Sequence, residues 1–369
     1  MGSQKNIWPK NCWYVAAHGH EVTDGLFART LLNQAVILWR TGDGEIAALE
    51  DRCPHRLVPL STGKTVNGEV ECGYHGLRFV TEGACAFVPG QDQTPKNVKV
   101  KKFPVAERHN LIWIWMGAAD IADMDLIPDL HWMDSPGWRA TTGYLHFNAD
   151  YRLINDNLLD LSHETYIHKH TIGNSAVADA PVVTEVVDDR LVRAHREMPN
   201  IEPPPFFALA QGHDGRINRW QIAIYMAPGF NMTEVGFHAI GTDRIEDHLM
   251  MRPIHIITPE TDHTSHYIWG LARNFRLDDN VLHENIYTQT QQTFSEDREL
   301  LELQDRRLQL EGMPKLPQMP VKVDKAPVTG RRLLEAMIQR EEDEPEYCAV
   351  PATFADDRKV TQPFAQAAE

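Results

Sequence analysis

Long apolar runs are missing from this 369-residue chain: none approaches the ~20 residues that a membrane-spanning helix needs, so no span is expected. Cationic residues are in deficit, with 36 Lys and Arg against 52 Asp and Glu, a net charge of −16 and no basic stripe. Nucleic acid and an anionic membrane surface are therefore not expected partners. Cysteine is scarce, five in all, which fits a reducing compartment. Secretory-signal patterning is also lacking. Gly2 follows Met1, but Asn6 stands where a myristoylation signal has Ser or Thr, so the expected location is the cytoplasm. No Gly-rich dinucleotide fingerprint occurs. What remains, 42% hydrophobic and 24% charged residues, is the balance of an ordinary globular protein, and the length favours two domains.

Against that background two short motifs stand out, Cys53-Pro54-His55-Arg56 and, after fifteen intervening residues, Cys72-Gly73-Tyr74-His75. Each pairs one Cys with one His on a short turn. That is the donor set of a Rieske-type two-iron, two-sulfide centre, in which thiolates hold one iron and imidazoles the other. Zinc is the alternative, but zinc sites draw on Cys pairs two to four residues apart followed by His pairs. Cys53 and His55, separated by one residue, reach a single ion awkwardly, whereas adjacent irons accept one ligand each. Replacing two thiolates by imidazoles raises the potential to about −150 to +300 mV, within reach of a reduced flavin or ferredoxin partner. Cys12, Cys85 and Cys348 read as ordinary small residues.

Residues 1–125 otherwise read as a small β domain carrying the cluster ligands on two loops. Strand-like runs fall at 12–17, 35–39, 45–49, 76–80, 85–88 and 111–116, with turns at Thr41-Gly42-Asp43-Gly44 and Thr81-Glu82-Gly83. Trp113 and Trp115 read as packing. The acidic stretch 118–130 reads as a linker, and a second domain occupies 126–369.

The second domain carries the second site. A strand is expected over 144–153, then a helix over 155–168 containing Asp160, His163 and His168. Asp160 and His163, three apart, share a helical face. His163 and His168, five apart, diverge by about 140° on an ideal helix, so both meet one ion only if the helix bulges or ends between them; a π-type distortion is expected. The bland alternative is a polar helix with surface histidines.

Two histidines need a carboxylate to complete the facial triad of a non-haem iron(II) site. On the helix expected over 279–310, Asp297 has Thr293, Phe294, Leu300 and Leu301 as turn neighbours, whereas Glu296 and Glu299 have polar surroundings. Asp297 is thus the carboxylate aimed at the core, where an unpartnered charge costs several kcal/mol that a metal would remove. Strands expected over 181–198, 219–240, 248–259 and 263–274 form a curved sheet beneath that helix, enclosing a pocket. Pro203-Pro204-Pro205 reads as a rigid turn, 329–342 as a charged helix, and the final residues as poorly ordered.

With both sites in hand the chain resembles the oxygenase component of Rieske non-haem iron aromatic oxygenases, and within them the vanillate O-demethylase type. The resemblance is carried by both metal motifs, by Pro59-Leu60-Ser61, Gly76-Leu77 and Asp156-Asn157-Leu158 through Tyr166, and by Thr258-Pro259-Glu260-Thr261 and Ala272-Arg273-Asn274-Phe275. Leu57-Val58 departs from it, where relatives often have Gly and a small residue. The resemblance implies an α+β fold: an N-terminal Rieske β domain followed by a helix-grip, START-like catalytic domain. It implies that Cys53, His55, Cys72 and His75 hold the cluster, that His163, His168 and Asp297 hold the iron, that Asn157 lines the iron site, and that His255 contacts substrate. Subunits would form a homotrimer or a stacked pair of trimers, with Asp160 bridging His75 of one chain to His163 of the next.

The implied reaction is hydroxylation or O-demethylation of an aromatic acid with dioxygen. A methoxy group hydroxylated at carbon collapses to a phenol and formaldehyde. With no dinucleotide fingerprint and no further Cys-rich cluster, electrons from NAD(P)H must come through a separate flavin or iron–sulfur reductase, which the acidic surface would help to dock. The alternatives are an aromatic-ring dioxygenase, including ether-cleaving dioxygenation, a Rieske electron carrier and a zinc-organised binding module. An acid group on the substrate calls for an arginine, and Arg193, Arg219, Arg252 and Arg273 all qualify.

Overall fold

The computed structural model describes residues 7–354 apart from 170, 174, 205–206, 209–214, 242–248 and 313–318. Gly2, Asn6, Pro205, His248 and the tail after 354 lie outside the described residues. Among the described residues the N-terminal domain contains ten strands: β1 (Trp13–His18), β2 (Phe27–Leu31), β3 (Gln34–Arg40), β4 (Ile46–Glu50), β5 (Lys64–Val66), β6 (Glu69–Glu71), β7 (Arg78–Phe79), β8 (Cys85–Phe87), β9 (Val105–Arg108) and β10 (Leu111–Trp115). They form three antiparallel sheets, ordered β1-β10-β9, β2-β3-β4 and β5-β6-β7-β8.

Side-chain alternation explains why β1 and β10 are buried on both faces. Tyr14, Ala16, Ile112 and Ile114 enter one core, while Trp13, Val15, Trp113 and Trp115 enter another. A third core, built from Ile37, Leu49, Leu60, Phe79 and the two cluster cysteines, lies under the cluster loops. Each fully buried apolar side chain in these cores contributes about 1.5–3 kcal/mol.

Among the described residues the C-terminal domain has seven strands, β11 (Arg139–Phe147), β12 (Val183–Val186), β13 (Leu191–Ile201), β14 (Ile217–Met226), β15 (Phe230–Ala239), β16 (Leu249–Thr261) and β17 (Thr264–Arg273). They make one antiparallel sheet ordered β11-β17-β16-β15-β14-β13-β12. Among the described residues its α-helices are α1 (Tyr151–Leu159), α2 (Glu164–Ile167), α3 (Ser175–Asp179), α4 (Asn280–Glu311) and α5 (Lys325–Asp343). Asp279 caps α4 by accepting from the Leu282 N–H, and Gly312 closes it in the left-handed conformation. The helix lies against the sheet through Phe294, which packs on His255, Tyr267 and Trp269. Among the described residues no helix is long and apolar enough to cross a membrane.

Several expectations are corrected. The strand expected over 144–153 ends at Phe147, and α1 begins at Tyr151 because the Asp150 carboxylate caps it by accepting from the Arg152 N–H. The stretch 181–198 is two strands, separated where Asp188 accepts from the N–H groups of Arg190 and Leu191. Residues 219–240 also form two strands, turning at Ala227-Pro228-Gly229. The run 76–80 pairs only at Arg78–Phe79. The expected linker is no loose tether: it coils through short 3₁₀ turns and buries Ile127 and Leu130 in the tryptophan core. Strands β2, β5, β6 and β9 were not anticipated.

Candidate metal centres and active site

The two cluster loops are built alike. In the first, the Leu57 N–H donates to Cys53 O and the Cys53 N–H to Val58 O; in the second, the Gly76 N–H donates to Cys72 O and the Cys72 N–H to Leu77 O. Each loop therefore needs a left-handed residue at its fifth position, supplied by Gly76 at φ +72° and by Leu57 at φ +61°. The loops approach so closely that a Cβ on Gly63 would sit 1.9 Å from Glu71 O and one on Gly73 2.5 Å from Thr62 O. Cys53 and Cys72 are buried, whereas the His55 and His75 rings are exposed and 4.7 Å apart. Burial, and then the neighbouring Cys72 thiol, push the Cys53 thiol pKa up. Two adjoining thiols below and two adjoining imidazoles above fit a cluster with a sulfur-held and a nitrogen-held iron.

The second centre forms where α1 stops. Asp160 is at once the C-cap of α1 and the N-cap of a 3₁₀ turn, Leu161–His163, that leads into α2. The irregularity expected in this helix is thus a break and a 3₁₀ turn at Asp160, and His168 lies just past the end of α2; no π-bulge occurs there. The Asp160 carboxylate accepts from the N–H and hydroxyl of Ser162, at 3.0 and 2.6 Å, and lies 3.6 Å from Arg196. It is the backbone carbonyl of Asp160, not the carboxylate, that meets His163 Nδ1. His168 Nδ1 donates to Glu296 at 2.8 Å. With both Nδ1 atoms engaged, both Nε2 atoms turn inward to Asp297 Oδ1, at 3.5 Å for His163 and 3.1 Å for His168.

Donor atoms of His163, His168 and Asp297 lie within 4.8 Å of one another. Asp297 is buried, and its Oδ1 has no aligned hydrogen-bond partner among the described residues. Burial alone would lower the His168 pKa, but contact with Asp297 and its charge, then Glu296, raise it to about 9. Two imidazole nitrogens and an under-satisfied buried carboxylate oxygen are a donor set that suits iron(II) with positions left open.

The triad borders an open-mouthed, largely apolar cavity. His255 lines it from β16; its Nδ1 meets the Tyr267 hydroxyl at 2.6 Å, and burial pushes its pKa down to about 3. Leu158 lines the cavity from α1 and Leu161 from the 3₁₀ turn that follows it, while Asn157 sits half-buried one turn before the break and gives its carbonyl to the Asp160 N–H. Of the four candidate arginines, Arg219 alone reaches the cavity. Arg252 is stacked on Trp132 and paired with Glu234, Arg273 donates to the carbonyls of Phe275 and Arg276, and Arg193 donates to Phe354 O. Sequence reasoning missed Glu296, which looks like any polar helix residue, and Glu164, a buried carboxylate held by Gln221.

A cluster-binding β domain joined to a two-histidine, one-carboxylate site beside an apolar cavity defines a Rieske non-haem iron oxygenase. Residues 12–104 match the Rieske [2Fe-2S] domain model, and residues 147–340 match that of the vanillate O-demethylase oxygenase C-terminal domain. The chain belongs to this family, the monooxygenase and demethylase type, as an oxygenase component. It is 38% identical to the toluene-4-sulfonate monooxygenase system iron-sulfur subunit of Comamonas testosteroni, over 90% of this chain and 97% of that protein. It is 36% identical to a vanillate O-demethylase oxygenase subunit of Pseudomonas, over 91% and 97%. The structure of dicamba monooxygenase bound to 3,6-dichlorosalicylic acid superposes with a TM-score of 0.85 at 34% identity, covering 90% of this chain and 98% of that one.

Proposed function

We propose that this chain is the terminal oxygenase of a multicomponent system that hydroxylates or O-demethylates an aromatic acid, with electrons passed from NAD(P)H through a separate flavin or iron–sulfur reductase. The observation that carries this reading is the convergence of His163, His168 and Asp297 at the wall of a largely apolar cavity. Cys53, His55, Cys72 and His75 hold the [2Fe-2S] cluster, and the triad holds iron(II). Iron held there supplies dioxygen activation and the insertion of one oxygen atom into the substrate. The chain's own residues prepare that chemistry. The Asp160 carbonyl and the Glu296 carboxylate fix the two imidazoles with Nε2 inward, and Asp297 supplies one negative charge. Phe294, Leu158, Val235 and Leu271 make the cavity apolar enough to seat a ring and exclude water. Relatives named for toluene-4-sulfonate and vanillate support an aromatic anion as substrate.

The same reading places the protein in the cytoplasm as a homotrimer or a stacked pair of trimers, with domains over 1–125 and 126–369. Asp160 bridges His75 of one chain to His163 of the next, with Asn157 beside it. Exposure of His55, His75 and Tyr74 on one side and of part of the Asp160 carboxylate on the other supports that relay. The test is turnover of a panel of methoxybenzoates and methylbenzenesulfonates with a surrogate reductase under labelled dioxygen. One labelled oxygen atom in the hydroxymethyl product of a methylbenzenesulfonate, none in the phenol from a methoxybenzoate because the label leaves with formaldehyde, and about three irons per chain are expected. Two labelled atoms, or about two irons per chain, would refute the reading.

A further inference from the structure

Besides the triad, the cavity has two ionisable poles that differ in charge, Arg219 with Glu164 at one and His255 at the other. Strand register separates them. Along β14 the inward residues Arg219, Gln221, Ala223 and Tyr225 pair with Phe237, Val235, Thr233 and Asn231 of β15, and Asn231 pairs in turn with His255 of β16. Arg219 and the row that ends at His255 are therefore six residues apart along the backbone, so the two side chains enter the cavity from different ends.

The His255 pole offers a neutral group. Tyr267, whose hydroxyl meets His255 Nδ1, leaves Nε2 as the cavity-facing nitrogen. The Arg219 pole offers a cation that is poorly satisfied by the protein. Arg219 is 1% exposed; its Nη2 lies 3.6 Å from Glu164, its guanidinium is 4.2 Å from the centre of the Phe207 ring, and its Nε and Nη1 have no hydrogen-bond partner among the described residues. Glu164 is already shared, since Gln221 donates to both of its oxygens at 3.0 and 3.2 Å. A buried guanidinium with unmade hydrogen bonds is expensive to maintain without an acceptor, and an oxyanion entering the cavity provides one.

We propose that Arg219 anchors the acid group of the substrate, an aromatic carboxylate or sulfonate, while His255 gives at most a neutral hydrogen bond to another part of the ring. This rests on the oxygenase reading above and names the residue that selects for an anion.

Calorimetric titration of the holoenzyme with matched pairs tests it: 4-methoxybenzoate against 4-methoxybenzamide, and toluene-4-sulfonate against toluene-4-sulfonamide. The two arms separate a carboxylate from a sulfonate preference. Wild type is expected to bind at least one acid about 30-fold or more tighter than its neutral partner, as for a buried charge pair. Arg219→Gln is expected to erase that ratio while leaving affinity for the neutral compound within about threefold, and Arg219→Lys to keep part of it. His255→Gln should weaken acid and neutral compound alike. Because Arg219→Gln leaves Glu164 buried without a cation, the Glu164→Gln/Arg219→Gln double variant provides the same readout if the single variant fails to fold, as judged by cluster absorbance and melting. The proposal is overturned if wild type shows no preference for either acid, if the preference survives loss of Arg219, or if His255→Gln abolishes it instead. Should acid preference follow Arg219 while reductase-driven turnover of those acids gives no oxygenated product, the anchor stands and the oxygenase reading of the substrate falls.

Discussion

Glu296→Gln is the sharpest perturbation of the iron site that leaves its proposed ligands in place. His168 is 1% exposed, donates from Nδ1 to Glu296 at 2.8 Å and points Nε2 at Asp297, 3.1 Å away. A carboxylate behind a metal-bound imidazole fixes its tautomer and raises its basicity, and losing such a partner lowers metal affinity about 10- to 100-fold, or about 1.4–2.7 kcal/mol. Glu296 is 28% exposed, and glutamine keeps an acceptor oxygen, so the lower end, about tenfold, is expected here. The assay is chelator competition for iron(II) or cobalt(II), with cluster absorbance as the internal control. Proton release gives a second reading. His168 carries a proton up to a pKa of about 9 in the metal-free protein, so metal must displace it at neutral pH and apparent affinity rises with pH toward that value. Glu296→Gln removes one of the charges that raise this pKa and should reduce both the proton release and its pH slope. Unchanged affinity within about twofold, with unchanged proton release, would mean that packing alone holds His168 and would refute the argument.

Acidification should destabilise the fold through two buried histidines. Burial holds His255 at about 3, and burial followed by the Arg29 charge holds His266 at about 4. Both folded values lie below the ordinary 6.5, so their stabilising effect is complete above pH 6.5 and is lost as pH falls toward 4, by about 3 kcal/mol each. Urea denaturation between pH 7 and 4 measures it, and His255→Gln should flatten the slope. Gly76→Ala should destabilise the cluster loop by about 1–2 kcal/mol, since φ is +72° and the new Cβ would meet the Pro89 ring at 3.2 Å. Leu57→Gly, at an exposed left-handed position, should be neutral or slightly stabilising in the same thermal melts; a loss comparable to that of Gly76→Ala would contradict the shared loop geometry. Asp160→Asn should leave the cluster reducible while steady-state turnover falls about 10- to 100-fold, the loss of a charged hydrogen bond. Stopped-flow reoxidation of the reduced cluster separates this from a binding defect, and reoxidation at the wild-type rate would exclude the relay.

Legibility followed locality. Both cluster motifs were readable because donor type and spacing lie within 23 residues, and the loops add only backbone turns around them. Asp297 was readable from its helical neighbours: Thr293, Phe294 and Leu301 are buried with it, although Leu300 turns outward. A break near His163 was required by the angle between the histidines, yet its form depended on Asp160 capping in both directions, which periodicity does not encode. The turn between β14 and β15 was hidden because apolar residues continue through Ala227 and Phe230. Ranking the arginines was beyond the sequence for a tertiary reason. Only pairing register and the packing of Trp132 send Arg252 away from the cavity while Arg219 stays in it.

How the domains join bears on how electrons cross. The Leu32 and Asn33 N–H groups donate to Pro259 and Glu260 carbonyls at 2.9 and 2.8 Å, the Thr258 hydroxyl donates to Val15 O at 2.7 Å, and His266 links Thr30 O to the Tyr144 hydroxyl. Apolar residues of β1, β2, β11 and β17 share one core across the same boundary. A seam so filled with backbone bonds and buried side chains does not hinge readily, so the cluster is not carried to the iron by domain motion. Yet the cluster loops rest on a separate core, and their imidazoles face outward from it. A rigid chain that presents its electron donor outward and keeps two of its three acceptor ligands buried, with His163 only half-buried, has most to gain from a second copy docked against it. This is the physical ground on which the proposed trimer rests.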